Sequence, residues 1–145
     1  MKLILFILLL LQTNTFSQVH KKDSLIQKIN TTNSNEKKVN LYLELSKTYR
    51  EIDVDSAIFY GKKGYQIAQK SNNKKTIADN LSNLGNLYVS KNQFNTAKKY
   101  YNSSLKIYEA DNNLLEYCRD LMRIGNIDFL QSRYQSALIK FHQCL

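Results

Sequence analysis

LSNLGNLYVSKNQFNTAKKYYNSSLKIY, from Leu81 to Tyr108, returns forty residues later as LMRIGNIDFLQSRYQSALIKFHQCL, from Leu121 to Leu145. Laid one on the other, Leu81 meets Leu121, Leu84 meets Ile124, Gly85-Asn86 meets Gly125-Asn126, Ala97 meets Ala137 and Tyr101 meets Phe141. A self-similar period of this size marks a solenoid, in which each unit is one supersecondary element and neighbouring units share a core.

The periodicity inside the unit predicts its secondary structure. Ile77, Leu81, Leu84 and Tyr88 fall at i, i+4, i+7 and i+11, one stripe of an α-helix. Ala97, Tyr101, Ser104, Leu105 and Tyr108 make a second stripe. Lys91-Asn92-Gln93 between them is short and polar, so the two helices double back antiparallel. The pairs Asn72-Asn73 and Asn112-Asn113, forty residues apart, separate one hairpin from the next. An amphipathic hairpin cannot bury its apolar face alone, so the hairpins must stack.

The run Leu81, Leu84, Gly85, Tyr88, followed by Ala97, Tyr101 and the small Ser104, resembles the tetratricopeptide repeat (TPR), lengthened from about 34 to about 40 residues. The resemblance spans Val39 to Leu145, with one departure: Asp128 stands where Tyr88 stands. It implies an all-α, right-handed superhelical solenoid of antiparallel helix hairpins. It also implies a protein or peptide as partner, with no small-molecule cofactor. In such stacks the first helix of each hairpin lines the concave face, which makes Lys47, Arg50, Asn83, Asn86, Arg119, Met122, Arg123 and Asn126 the candidate ligand contacts. Asn83, Arg119 and Arg123 match part of the carboxylate clamp by which some TPR domains hold a peptide C-terminus, and arginine suits that task through bidentate bonds. Leu43 and Lys47 depart from it, standing where that clamp has lysine and asparagine.

Upstream, the chain is organised in the same terms. Residues 1–17 form a predicted signal peptide, with Lys2 as the positive start, Leu3 to Leu11 as the apolar run and Thr15-Phe16-Ser17 as a small-x-small cleavage site before Gln18. Nine apolar residues are too few to span a bilayer, which takes about 20. Export to the periplasm, or to the outer face of the inner membrane of a Gram-negative bacterium, is the expected localisation. Residues 18–35 supply a capping helix and linker, 36–73 the first repeat, 74–113 the second and 114–145 an incomplete third. In the first repeat Tyr42, Leu45, Ser46 and Tyr49 take the places of Leu81, Leu84, Gly85 and Tyr88, offset by one residue because the turn Ile52 to Asp55 is shorter. Asp55 is the expected N-cap of the helix starting at Ser56. Gly61 and Gly64 inside that helix point to close packing, since each costs about 1 kcal/mol against alanine. Asp53 and Asp55 lack the further oxygen ligands of a calcium loop and are read as capping residues.

Composition narrows the function classes. The net charge is +9, but the lysines are scattered as pairs such as Lys62-Lys63 and Lys98-Lys99, and several fall on the second, outer helix of a hairpin. Solubilising charge accounts for them, and nucleic acid is not an expected partner. Proline and tryptophan are absent while there are ten tyrosines, which suits aromatic packing in a helical array. Neither His20 nor His142 has a nucleophile or metal partner at a recognisable spacing, and no phosphate loop, H-E-x-x-H or G-x-S-x-G occurs. The chain is therefore not expected to be an enzyme, and no metal or cofactor site is assigned.

Cys118 and Cys144 each lie seven residues from their member of the crossing pair Gly125 and Ala137, about two helical turns, so they sit at one height of a hairpin. In an exported protein they could form a disulfide. The equivalent pairs Ala78 with Ser104 and Val39 with Gly64 show that small residues also simply fit there. The third unit ends at Leu145 with Leu138, Ile139 and Phe141 uncovered, which leads to the expectation of a longer protein or of a partner over that end. Two functions follow: an exported adaptor binding a protein or peptide in its groove, or the extracytoplasmic sensory region of a transmembrane two-component histidine kinase or helix-turn-helix regulator. In the second case a span beyond Leu145 supplies the membrane attachment. An envelope factor that holds client proteins is a third.

Overall fold

The computed structural model describes residues 21–145. The expected signal peptide at 1–17 lies outside the described residues. Those residues form seven helices and no strand: α1 (21–31), α2 (Asn35–Tyr49), α3 (Val54–Ala68), α4 (Lys74–Ser90), α5 (Phe94–Ala110), α6 (Leu114–Leu130) and α7 (Tyr134–His142). Each helix from α2 onward packs on the next, giving three antiparallel hairpins stacked in chain order.

Polar side chains set the helix ends. Ser34, Asn73 and Asn113 accept from the backbone N–H groups of Lys37, Thr76 and Glu116. Asp53 caps α3, accepting from the N–H groups of Asp55 and Ser56 at 3.1 and 3.3 Å. The expected cap at Asp55 is thus two residues late: α3 begins at Val54, and Asp55 lies in its first turn. Asp53 wins because only the residue before the first turn has extended backbone from which its carboxylate can turn back onto those N–H groups. Asn92, Asn112 and Ser132 close α4, α5 and α6 in the left-handed region, with φ of 56°, 51° and 59°. The N–H after each returns to the carbonyl of Tyr88, Tyr108 or Asp128 at 2.9, 2.9 and 2.8 Å, a Schellman closure.

Large and small residues interlock across each hairpin. The Tyr101 ring lies over Gly85, where an added Cβ would come within 2.5 Å, and the Phe141 ring lies over Gly125 at 2.6 Å. The first hairpin reverses the arrangement. There Gly61 stands where Tyr101 stands and faces Ser46, and the space is filled from the next hairpin by Leu84 and Leu87. Gly64 admits the Asn80 carboxamide at 2.8 Å from its own absent Cβ. Close approach is therefore the reason for both glycines. α1 covers the outer side of α2, burying Leu25 and Ile29 against Leu45.

Lys98 corrects the expectation that the outer-helix lysines are all solvated. Its ammonium is largely buried and donates to Asp128, itself only 4% exposed. Lys140 Nζ lies 2.9 Å from the same carboxylate, and Ser136 donates to it at 2.8 Å. Burial alone would raise the Asp128 pKa, but the bonds from Lys98, Lys140 and Ser136 outweigh it and hold the carboxyl well below the usual range.

Cys118 and Cys144 are neighbours across the last hairpin as free thiols, with Cys144 Sγ donating to the Cys118 carbonyl at 3.5 Å. Burial, then the neighbouring Cys118, pushes the Cys144 thiol up to about 11.

Candidate functional site

The first helices of the three hairpins, α2, α4 and α6, face a common cleft of about 270 Å³. Repeat spacing places them there. Leu43 and Lys47 come from α2, Asp79, Asn83 and Asn86 from α4, and Glu116, Arg119 and Arg123 from α6, with Tyr108 of α5 closing one side. Five of the expected contacts are gathered in it: Lys47, Asn83, Asn86, Arg119 and Arg123. The other three do not line it. Arg50 pairs with Glu51 at 2.9 Å, and Met122 and Asn126 are exposed elsewhere on α6.

Several of these polar groups are already engaged. Asn83 is buried and donates to Ser46 Oγ at 2.9 Å, and Ser46 donates in turn to the Ala57 carbonyl at 2.8 Å. Asn86 Oδ1 accepts from the Tyr101 hydroxyl at 2.8 Å. Arg123 Nη1 donates to Asp120 Oδ1 at 2.5 Å and to Ser82 Oγ at 2.9 Å. Asp120 is wholly buried and also accepts from Ser82 at 2.7 Å and from Ser104. This network fastens α4, α5 and α6 together. Two of the three clamp-type side chains, Asn83 and Arg123, therefore build the floor of the cleft rather than wait for a ligand.

The rim is more open. Arg119 pairs with Glu116 at 2.6 Å, yet its side chain is 54% exposed. Lys75 pairs with Asp79 at 2.8 Å, and the Tyr108 hydroxyl donates to the other oxygen of Asp79 at 2.8 Å. The bond to Asp79 raises the Lys75 pKa, so it stays cationic. Burial, then donation to Asp79, raises the Tyr108 pKa, so the hydroxyl remains a donor. Lys47 is exposed on this rim and has no ion-pair partner among the described residues. Sequence reasoning missed Lys75, Asp79, Glu116 and Tyr108. The first three carried a signal in the spacings Lys75 to Asp79 (i, i+4) and Glu116 to Arg119 (i, i+3), but Tyr108 was counted only as core.

Such an arrangement can bind and orient a charged segment. Among the described residues no group of His, Cys, Asp and Glu is placed to hold a metal ion, and no helix is long and apolar enough to cross a membrane.

Comparison with known proteins agrees with the architecture. The chain is similar to the crystal structure of aspartyl phosphate phosphatase F from Bacillus subtilis, with 17% identity and a TM-score of 0.78 over 89% of this chain. That likeness covers 37% of the phosphatase chain and concerns the fold alone. No curated protein matches. The family described as the SusR N-terminal TPR domain matches residues 14–131, and the chain belongs to that family. This region is a helical-repeat scaffold of the TPR type, a kind that commonly mediates protein–protein interaction.

Proposed function

We propose that the chain is an exported interaction domain that holds a protein or peptide in the cleft between α2, α4 and α6. Lys47 and Arg119 meet an acidic group of that ligand, a side-chain carboxylate or a free C-terminus. The observation that carries the reading is the contrast inside the cleft. Asn83 and Arg123 are spent on internal bonds, while Lys47 has no ion-pair partner among the described residues and Arg119 stands more than half exposed on the same rim. Charge-assisted bonds from such groups favour a carboxylate over a neutral segment. A panel of acidic peptides, each with a free or an amidated C-terminus, tests this by fluorescence polarisation. Lys47→Glu with Arg119→Glu should weaken binding by about tenfold or more. Unchanged affinity in that double variant would place the ligand elsewhere.

A second reading is favoured by one observation, that the family is described as an N-terminal domain. In it the same cleft is the sensory end of a longer transmembrane histidine kinase or helix-turn-helix regulator. Envelope fractionation with an antibody to this region separates the two. A membrane-integral product much larger than 16.9 kDa supports the sensor, and a soluble periplasmic one of about that size supports the adaptor.

A further inference from the structure

The chain has two cysteines, and the fold brings both to one place. Cys118 lies in the second turn of α6, and Cys144 lies just past the end of α7, where its N–H still bonds back to the Phe141 carbonyl at 3.2 Å. The turn Gln131–Arg133 joins the two helices at one end of the hairpin, and the cysteines meet at the other, open end. There Cys144 Sγ donates to the Cys118 carbonyl at 3.5 Å, and the Cys118 side chain is a hydrogen-bonding neighbour of the Cys144 thiol. Cys144 also packs on the cluster of Leu121, Ile124 and Ile127, which holds its side chain in this direction.

The first hairpin shows the same approach of backbones independently. Val39 and Gly64 hold the corresponding places, and a Cβ on Gly64 would stand 3.7 Å from the Val39 carbonyl oxygen. In both hairpins the place on the second helix thus faces the carbonyl of its partner on the first. The second hairpin has Ala78 and Ser104 at these places, and the Ser104 hydroxyl turns away to the Tyr101 carbonyl and Asp120. Close approach explains a small residue at this level. It does not explain why both cysteines of the chain stand on one such pair, each within reach of the other.

We infer that Cys118 and Cys144 are an oxidation site, forming a disulfide clip that closes the open end of the hairpin α6–α7. The oxidant is an external disulfide. A thiolate of the pair attacks one of its sulfurs and releases the first thiol, and the other cysteine then attacks the mixed disulfide and releases the second. One S–S bond breaks and one forms, and the two protons and two electrons lost by the cysteines end on the two released thiols. The clip joins residues twenty-six apart, so it restricts the unfolded chain far more than the folded hairpin, where the two groups already touch. What is given up is a weak S–H donor to the Cys118 carbonyl. The clip uses none of the side chains that line the cleft and does not depend on what the cleft binds.

The test incubates the reduced 145-residue chain with oxidised glutathione and follows it by intact mass, and by peptide mapping after alkylation of free thiols. The expected product is a monomer lighter by two hydrogens, in which the peptides of Cys118 and Cys144 are linked. It should melt about 5 °C or more above the reduced chain. Amides of α7 should exchange more slowly in it, while those of α2 keep their rate. Cys118→Ala with Cys144→Ser gives this hairpin the pair that the second hairpin already carries, and the melting temperature of that variant should ignore the oxidant. Two alkylated thiols after oxidation, glutathione retained on either cysteine, or a bond between two chains would each overturn the inference. So would a linked product that melts no higher than the reduced chain, a result read from the unsubstituted protein alone.

Discussion

The junction between the first and second hairpins and the junction between the second and third have the same geometry and opposite chemistry. At the first, Ile58 and Tyr88 pack in one cluster, and Tyr88 stacks on Tyr100 with ring centres 5.3 Å apart and planes 11° from parallel. At the second, the same three places hold Lys98, Asp128 and Lys140, a carboxylate between two ammonium groups. A second difference runs alongside. Among the described residues Asn80 Oδ1 is buried without a donor, whereas Asp120, forty residues on, accepts from Ser82, Ser104 and Arg123. The spacing of helices and turns fixes how hairpins stack, and the polarity of a junction can then be exchanged as a set. It cannot be exchanged one residue at a time, because an aromatic ring replaced by a lone carboxylate would be an uncompensated buried charge.

The largest test of that statement is Asp128→Ala. It leaves Lys98 and Lys140 facing each other in a largely buried site, and the cost should be roughly 3–5 kcal/mol in urea denaturation. Transplanting the first junction's residues as a set, Lys98→Ile with Asp128→Tyr and Lys140→Tyr, should recover most of that loss. Replacing a buried ion cluster with packed apolar groups is often neutral or better. A triple variant as unstable as Asp128→Ala alone would show that the two junctions are not interchangeable.

The next contrast lies between glycines at the crossing points. Gly85→Ala sets a Cβ 2.5 Å from a ring that is 1% exposed and tied by its hydroxyl to Asn86. Tyr101 cannot move aside, and the expected loss is about 1–3 kcal/mol. Gly61→Ala meets only the ends of the Leu84, Ser46 and Leu87 side chains, at 3.1 to 3.3 Å. Those can give, and the helix gains up to about 1 kcal/mol from losing an interior glycine, so this variant should be near neutral. Thermal melts of the two side by side check the difference in size.

The same residues show how far the sequence could be read. The forty-residue repeat of Leu81, Leu84, Gly85, Ala97 and Tyr101 was enough for hairpins, stacking and the concave side, because those positions obey local periodicity. Five of the eight candidate contacts followed from that register and lie in one cleft. What escaped were consequences of contacts across hairpins. Asp128 looked like a lapse from the pattern, since its compensation by Lys98 comes from thirty residues away. Asn83 resembles a ligand contact in sequence, since its partner Ser46 lies thirty-seven residues distant, whereas the Asp120–Arg123 pair, three apart on α6, is as open to local reading as Glu116–Arg119. A one-dimensional pattern gives the face a residue occupies but not whether a neighbouring unit has already satisfied it.

Acid should separate the two junctions by a smaller amount. The native Asp128 carboxyl is held below its ordinary value, so its contribution is complete above the unfolded pKa of about 4 and declines as the pH falls toward the native one. Near pH 3 the loss should be about 1 kcal/mol, and it should fall on the second junction, because the first has no buried carboxylate at this place. Hydrogen exchange at pH 3 and pH 6 should show α6 and α7 loosening before α2 and α3. Asp128→Asn should lower stability at pH 6 and flatten its dependence below pH 4. An acid response spread evenly over both junctions would mean that this carboxylate is not its source.

The smallest effect belongs to an ion pair that looks as good on paper. Lys91 Nζ lies 2.6 Å from Asp55 Oδ1 and links the turns of the first and second hairpins. Sign and distance resemble those of the Lys140–Asp128 contact at 2.9 Å, and the pair also ties two helical elements together. The difference is solvent. The Asp55 side chain is 76% exposed and that of Asp128 4%. In water each partner of the exposed pair is nearly as well solvated alone, and salt screens what attraction remains. Lys91→Ala should therefore leave the unfolding midpoint unchanged at low and at high salt. A clear loss for this variant would mean that charge, rather than burial, distinguishes the junctions, and the contrast between Ile58–Tyr88–Tyr100 and Lys98–Asp128–Lys140 would need another cause.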